Sequence, residues 1–330
     1  FAFLIAVTLI IVGRGTIDQT FFLNLLFYII FTPVISTTLS KVMFMSENKM
    51  LVADSLQRIH SILDIKPLSN NENKVNIKDN SIELKNVKFK YENSKSNAID
   101  GISLKIKPNE TIALVGPSGS GKSTLANLIS RFYDIDSGKI LIGNVNVKDI
   151  EKKELMNTIS FVFQNSKLLK TSIYENVKMA KPEATKVEVL HALHLAQCDD
   201  IVQKLPNGID TVIGTKGVYL SGGEEQRINI ARIMLKDSKV VILDEATAFA
   251  DPENEIQVQK AFEELSKNKT VIMIAHRLST IRNVDKIYVL NNGKIEEEGK
   301  HEELLKKNGL YKEMWDNYQT SISWKVGENV

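Results

Sequence analysis

The residues best suited to chemistry lie in one glycine-rich stretch, 116–124 (GPSGSGKST), which has the spacing of a phosphate-binding loop. It follows an apolar run that predicts a buried strand and precedes residues that predict a helix. Lys122 would reach the β- and γ-phosphates, and the Ser123 hydroxyl would ligate Mg²⁺. The alternative is an ordinary Gly/Ser-rich turn, but such a turn would not require Lys122 and Ser123. The candidate phosphate-binding residues are Gly116, Ser118, Gly119, Ser120, Gly121, Lys122, Ser123 and Thr124.

Three further apolar runs end in polar residues. They lead to Gln164, to Asp244 and Glu245, and to His276. Ligands of open α/β sheets bind beyond the carboxyl ends of the strands, so these residues and the phosphate-binding loop can share one site. Asp244 is predicted to be the carboxylate on the Mg²⁺ side, and Glu245 is placed to polarise a water. A solvated strand end is the alternative for this carboxylate pair, and the neighbouring phosphate-binding loop disfavours it.

A second glycine-bearing helix start occurs at residues 220–224 (LSGGE). Ser221 and Glu224 fit a capping box, which alone would explain these two residues. A capping box does not account for the consecutive Gly222 and Gly223. Because one nucleotide needs only one cradle of N–H groups, the second cradle is predicted to serve the nucleotide of another subunit.

The elements that must position these residues alternate between strand and helix. Period-two alternation at 82–91 and 102–106 predicts two half-buried strands, and Gly143-Asn144 and Asn292-Gly293 predict hairpin turns. A helical insertion is predicted at 172–204. The pattern therefore indicates an α/β fold in which helices pack on a parallel sheet with an antiparallel edge.

The N-terminal part of the chain is strongly apolar. Residues 1–12 and 20–39 are separated by a polar loop at 13–19, and the second run carries no charged side chain. Its length suits a bilayer span, so the two runs predict a transmembrane hairpin. A signal peptide is the alternative for the first run and a buried core helix for the second. Since the chain begins at Phe1 inside an apolar run, we interpret it as a fragment without its natural N-terminus.

Basic residues follow the second apolar run, at Lys41, Lys49 and Arg58, which predicts that this side faces the cytoplasm. A helical period continues to about residue 64, and an Asn- and Lys-rich segment comes after it. We therefore predict four segments. They are the C-terminal part of a transmembrane domain (1–64), a linker (65–80), the nucleotide-binding domain (81–320) and a tail (321–330).

The amino-acid composition limits the kinds of partner and of covalent or metal cross-link that the chain can have. The chain has 42 basic and 40 acidic residues, so it lacks the basic excess typical of nucleic-acid-binding domains. The single cysteine, Cys198, excludes an internal disulfide and a cysteine-based zinc site, and we interpret it as a small buried hydrophobic residue.

In their order along the chain, GPSGSGKST, Gln164, LSGGE, VVILDE and His276 resemble the nucleotide-binding domain of an ABC transporter over about residues 81–319. The apolar hairpin resembles the last two membrane helices of an exporter-type half-transporter. The resemblance implies an α/β P-loop NTPase domain of ABC type, with a parallel core sheet, an antiparallel β subdomain and a helical subdomain, after a two-helix all-α transmembrane segment. It implies ATP and Mg²⁺ as cofactors, ATP hydrolysis coupled to transport, and a second half-transporter as partner. It also implies an unidentified small-molecule substrate and a bacterial inner membrane location with the nucleotide-binding domain in the cytoplasm.

The resemblance also implies residue roles. Tyr91 stacks on adenine, Gln164 ligates Mg²⁺ and senses the γ-phosphate, and Glu245 is the general base. His276 holds the γ-phosphate and the attacking water. The residues that clamp the γ-phosphate of the opposite subunit are Ser221 and Gly223, with Gly222 between them in the signature. Catalysis is thereby assigned to Glu245, His276, Lys122 and Gln164, and metal ligation to Ser123, Gln164 and Asp244.

Several positions depart from the common pattern of the family. The signature ends in Glu224 where Gln is most frequent, residues 248–251 read AFAD, and residues 214–217 lack an acidic residue. These departures concern communication between sites and coupling to the membrane domain. The stretch 244–255 is similar to transporters that include siderophore importers. The competing hypotheses are a soluble ABC-type ATPase acting on nucleic acid or the ribosome, a regulatory ABC subunit with little turnover, and an unrelated P-loop kinase.

Overall fold

A computed structural model describes residues 4, 7–8, 10, 19–65, 67–71, 75–92, 94–162, 167–214, 218–244, 252–275 and 278–327. The chain divides into two compact units, Phe1–Pro67 and Leu68–Val330.

The first unit contains one long helix, α1 (Gln19–Leu63), with Pro33 inside it. Its most apolar 18-residue window has a mean hydropathy of 1.8, and none of that window is buried. Among the described residues, α1 is the one helix that is long and apolar enough to cross a membrane. The predicted continuation of the second apolar run into a longer helix is confirmed. The first apolar run lies mostly outside the described residues, although its described positions Leu4, Val7, Thr8 and Ile10 are helical.

The second unit contains a four-stranded antiparallel sheet in the order β2-β1-β4-β5. Its strands are β1 (Ile82–Phe89), β2 (Ile99–Ile106), β4 (Ser137–Ile142) and β5 (Val145–Asn146). β1 contains a bulge, because its register against β2 shifts between Leu84 and Val87. Gly143 and Asn144 join β4 to β5 with φ values of +54° and +66°, as a two-residue hairpin turn of type I′ requires.

The larger sheet has six strands in the order β10-β9-β3-β8-β7-β6. Its strands are β3 (Thr111–Val115), β6 (Ile159–Val162), β7 (Val240–Asp244), β8 (Thr270–Ile274), β9 (Lys286–Asn291) and β10 (Lys294–Gly299). The pairs joining β6, β7, β8, β3 and β9 are parallel, and β10 is an antiparallel edge strand. The predicted parallel sheet with an antiparallel edge is therefore confirmed.

The helices of the second unit share apolar clusters with the strands of its sheets. They are α2 (Lys122–Ile129), α3 (Lys152–Thr158), α4 (Ile173–Lys178), α5 (Lys186–Leu195), α6 (Asp199–Lys204), α7 (Gly222–Lys236), α8 (Pro252–Ser266), α9 (His301–Lys307) and α10 (Leu310–Gly327), with 3₁₀ turns at Gly208–Asp210 and Leu278–Ile281. The predicted helical insertion consists of the three short helices α4, α5 and α6, which share one apolar cluster with α7.

The phosphate-binding loop is held between two rigid elements. Before it, Ile112 and Leu114 of β3 are almost fully buried, and after it Leu125 and Leu128 of α2 are buried in the same cluster. This cluster also contains the inward-facing residues of the four-stranded sheet. Apolar burial on both sides of the loop therefore fixes its two ends.

Part of the segment predicted to be a linker makes defined contacts with the second unit. The buried guanidinium of Arg131, just after α2, donates to the Ser69 carbonyl at 2.8 Å and to its hydroxyl at 3.0 Å. The Lys152 ammonium donates to the Leu68 carbonyl at 2.6 Å. The compact unit accordingly begins at Leu68, while the four predicted segment boundaries stay predictions.

Candidate functional site

The backbone of the phosphate-binding loop requires glycine at two positions. Gly116 has a φ of +147°, and a Cβ there would lie 2.1 Å from the Leu290 carbonyl oxygen. Gly121 has a φ of +102°, and its Cβ would lie 2.7 Å from the Ala98 carbonyl oxygen. Gly119 differs, because no atom lies within 4 Å of a Cβ built on it. The loop is thus packed tightly at its two ends and open at its centre, as a cradle for an anion must be.

Lys122 lies inside this loop. The residue is 5% exposed, and its ammonium donates to the carbonyl oxygens of Gly116 and Pro117, both at 2.9 Å. Ser120 is also buried and lies next to the ammonium, with its Oγ at 3.4 Å. A buried cation in a loop of backbone amides provides a strong electrostatic site for a polyphosphate.

Ser123 and Asp244 bring two oxygen ligands together at the edge of this loop. The Ser123 hydroxyl lies 3.5 Å from Asp244 Oδ1, at the carboxyl end of β7. Hydroxyl and carboxylate oxygens suit Mg²⁺, which is held in such sites by one or two protein oxygens together with phosphate oxygens and water. No group of three or more His, Cys, Asp or Glu residues that could hold a metal ion occurs among the described residues. The donors present therefore fit a metal ion shared with a nucleotide.

Aromatic rings adjoin the loop on the side of the four-stranded sheet. Tyr91 follows the end of β1, and its hydroxyl is 3.1 Å from the Thr124 hydroxyl. Its ring packs edge-on against Phe89 at 4.8 Å and Tyr133 at 5.5 Å between ring centres. Tyr133 is 44% exposed, so the cluster presents ring surface to solvent. A heteroaromatic base can stack on such a surface.

The second glycine-bearing helix start is the first turn of α7. The Ser221 hydroxyl accepts from the Glu224 backbone N–H, and Glu224 Oε2 accepts from the Ser221 N–H at 2.8 Å. The capping box is therefore confirmed. A Cβ on Gly223 would lie 2.7 Å from the Cβ of Asn254 on α8. Gly223 thus also has a packing role, which no signal in the sequence could have revealed.

Arg227 fixes α7 to its neighbours. It is 1% exposed, and its guanidinium donates to the carboxylate of Asp200 at 2.8 and 3.1 Å, to Asn254 Oδ1 and to the Gln197 carbonyl. Burial tends to raise the pKa of the Asp200 carboxyl, but hydrogen bonding and charge attraction from Arg227 lower its pKa overall. The lowered pKa makes this pair stabilising at neutral pH, and the stabilisation is lost as the pH falls through the pKa of the folded state. Sequence reasoning missed Arg227, although it lies three residues beyond the signature.

We expect Arg227→Leu to destabilise the second unit by about 2–3 kcal/mol, because the change leaves the Asp200 carboxylate and the Gln197 carbonyl without their buried donor. Thermal unfolding of the full chain should show a lower midpoint. Lys204→Ala is a matched control, since the Lys204 ammonium lies 3.9 Å from the same carboxylate on the surface and is worth only about 0–1 kcal/mol. Equal effects of the two variants would contradict the anchoring role of Arg227.

The remaining predicted residues fall into two groups. Ser118 and Gly222 are described in the loop and in the first turn of α7. Gln164, Glu245 and His276 lie outside the described residues, as do the 248–251 loop and residues 215–217. Their roles stay predictions. The structure does show that β6, β7 and β8, which lead to these three residues, are adjacent parallel strands, so their carboxyl ends lie along one edge of the sheet.

A phosphate-binding loop between a buried parallel strand and a helix, with a Ser–Asp oxygen pair beside it, defines a nucleotide-binding domain of the P-loop class. Comparison with known proteins gives the family: residues 99–248 match the ABC transporter family. The second unit therefore contains an ABC transporter domain over these residues, which is its nucleotide-binding domain.

Two curated proteins and one solved structure illustrate this similarity. The chain is 44% identical over 261 residues to the "ATP-dependent lipid A-core flippase" of Haemophilus influenzae (strain 86-028NP), with 78% of this chain and 44% of that protein covered. It is 44% identical over 234 residues to the "Putative multidrug export ATP-binding/permease protein YgaD" of Bacillus subtilis (strain 168), with coverage of 71% and 40%. The solved structure of a bacterial Atm1-family ABC exporter with ATP bound matches with a TM-score of 0.73 and 35% identity, covering 79% of this chain and 46% of the other. The chain therefore spans less than half the length of these proteins.

Proposed function

We propose that this chain is the ATP-binding and ATP-hydrolysing part of an ABC exporter, which couples hydrolysis to movement of a small molecule across the bacterial inner membrane. The observation that carries the proposal is the presence, in one compact unit, of the Lys122 phosphate-binding loop and of a second, capped glycine-bearing helix start at Ser221. The exporter names of the relatives support the direction of transport.

In this function the described residues bind and orient ATP. Lys122 and the loop N–H groups hold the β- and γ-phosphates, while Tyr91 offers its ring to adenine. Ser123 and Asp244 hold Mg²⁺, which neutralises charge on the phosphates when it is bound. From the family resemblance we assign Gln164 as a further Mg²⁺ ligand, Glu245 as general base, and His276 as the residue that holds the γ-phosphate and the attacking water.

The first unit supplies the membrane part of the proposal. The exposed apolar helix α1 spans the bilayer, and Lys41, Lys49 and Arg58 mark its cytoplasmic side. The nucleotide-binding domain is then cytoplasmic. The partner is a second half-transporter, because Ser221 and Gly223 of one subunit complete the site at Lys122 of the other. A soluble ABC-type ATPase is disfavoured, since an exposed apolar helix such as α1 has no place in water.

The test is ATP hydrolysis by the full chain in lipid vesicles. We expect the chain to stay with the lipid fraction and to hydrolyse ATP only when Mg²⁺ is supplied. Chelation with EDTA should reduce the rate to background, and added Mg²⁺ should restore it, because Ser123 and Asp244 hold the metal only together with the phosphates. A chain that is soluble without detergent would support the soluble ATPase instead. ATP binding without hydrolysis in Mg²⁺ would support the regulatory subunit.

A further inference from the structure

The hairpin turn between β9 and β10 lies against the phosphate-binding loop, although the two are far apart in sequence. The backbone N–H of Gly293, in this turn, donates to the Ser120 carbonyl at 3.1 Å. A Cβ built on Gly121 would lie 3.7 Å from the Cα of Gly293. At the other end of the loop, the carbonyl oxygen of Leu290 on β9 is the atom that leaves no room for a side chain on Gly116. One hairpin therefore contacts both ends of the loop.

The hydrogen bond from Gly293 sets the direction of a backbone N–H group in the loop. The Ser120 carbonyl and the Gly121 N–H belong to the same peptide unit, which is planar and trans, so the two groups point in opposite directions. Because the carbonyl points to the hairpin, the Gly121 N–H points away from it. An anion-binding loop needs its N–H groups turned inward and its outward carbonyls paired. The contact with Gly293 meets both needs at this peptide unit.

The four-stranded sheet holds the hairpin turn in place. The Gly293 carbonyl accepts from the backbone N–H of Asp100, on β2, at 2.8 Å. The carboxylate of Asp100 lies 3.2 Å from the Lys88 ammonium on β1 and 3.3 Å from the Lys294 ammonium on β10. A Cβ built on Gly293 would lie 2.8 Å from the Ala98 carbonyl oxygen. The turn therefore has no room for a side chain at this position.

We propose that Gly293 is a positioning residue for nucleotide binding, because its N–H aligns the peptide unit between Ser120 and Gly121 in the phosphate-binding loop. This inference rests on the proposed function, since it takes the ligand of the loop to be a polyphosphate. Gly293 acts on the nucleotide through the loop. Its effect falls on the phosphates and not on the base, so inorganic tripolyphosphate should respond in the same way as an adenine nucleotide.

Gly293→Ala tests this role, because its methyl group would meet the Ala98 carbonyl and displace the turn from the loop. The probes are tripolyphosphate and AMP-PNP, an ATP analogue that resists hydrolysis, each with Mg²⁺. Calorimetry on the full chain in lipid nanodiscs should show the Kd of both probes raised about tenfold. Gly143→Ala is the matched control: Gly143 also has a positive φ in a hairpin turn, but its Cβ would meet the Asp79 carbonyl oxygen at 2.4 Å. It should strain the fold and leave both Kd values within about twofold of the wild type.

The outcomes separate this inference from the proposed function. Unchanged Kd values in the Gly293→Ala variant would overturn the inference. An equal rise in the Gly143→Ala variant would also overturn it, because strain in any hairpin turn would then explain the effect. A rise for AMP-PNP alone would overturn it as well, since the effect would then lie at the base. A wild-type chain that binds neither probe would contradict the proposed function, and the inference with it.

A second variant, Asp100→Asn, tests the same contact without adding a side chain to the turn. It removes the charge that holds Lys88 and Lys294 but keeps the backbone N–H donor. We expect the Kd of both probes to rise about threefold. Glu83→Gln is its matched control, since Glu83 pairs with Lys85 at 3.2 Å on the same sheet and its side chain is 28% exposed, against 30% for Asp100. The control should leave both Kd values unchanged, and unchanged values in the Asp100→Asn variant would overturn the inference.

Discussion

Replacing Lys122 by alanine is expected to reduce ATP hydrolysis by at least about a hundredfold, since removing one pre-positioned charge or donor from a transition-state site typically costs this much. The Lys122 ammonium is buried among the carbonyl oxygens of Gly116 and Pro117, inside a loop open enough at Gly119 to receive a phosphate group. Alanine leaves the loop backbone in place but removes the cation that balances the phosphate charge. The measurement is steady-state ATPase activity of the full chain in lipid.

Lys107→Ala is the matched control. It removes a cation of the same type from the exposed turn after β2, and it should leave the rate unchanged. Nucleotide binding measured directly should weaken with Lys122→Ala as well. Hydrolysis within about threefold of the wild type in the Lys122→Ala variant would contradict the assignment of the loop, because the lost electrostatic contribution would then be negligible.

The second large effect is expected on ATP hydrolysis by mixed dimers, in which the two subunits carry different substitutions. We expect Lys122→Ala and Ser221→Arg each to inactivate a homodimer. A dimer with one variant in each subunit should recover hydrolysis at least about tenfold above either variant alone. The reason is geometric: if Ser221 of one subunit completes the loop at Lys122 of the other, this arrangement keeps one complete site. Two affinity tags allow the mixed dimer to be isolated, and its ATPase activity is the measurement.

The matched control carries the same two substitutions in one subunit, paired with a wild-type subunit. A shared site predicts that this dimer is inactive, because each of its sites then has one damaged half. A site built within one subunit predicts the opposite pattern, in which the control is active and the first dimer is inactive. The two arrangements contain identical numbers of substitutions, so differences in stability do not explain a reversal.

Much of the fold could be predicted because its signals are local. Gly143-Asn144 adopts positive φ values for the reason that makes the pair a hairpin signal, and the β1 bulge follows from a break in alternation. The helix boundaries within the insertion at 172–204 are harder to predict from the sequence. Pro182 and the Thr185–Glu188 capping box separate α4 from α5, and Gln197 ends the α5 segment at a φ of +58°. Pro182 and the spacing of Thr185 and Glu188 are also local signals, but the helical composition on either side of them favours a single continuous segment.

The loop residues of the site could likewise be predicted, since one motif contains Lys122 and Ser123 and its strand-to-helix context is explicit. The features that depend on distant contacts could not. Gly223 contacts Asn254, and Arg227 donates to the same residue, through packing between helices that are separated in sequence. Sequence spacing carries no information about such distances.

The contact between Gly223 and Asn254 has a mechanical consequence. The first turn of α7 touches α8 with no room for a side chain, and Arg227 joins the same two helices through Asn254. In the proposed dimer, α7 faces one nucleotide, while α8 follows the β7 end that faces the other. We therefore expect a displacement of the first turn of α7 to move α8 with it, which would link the two nucleotide sites of the proposed dimer.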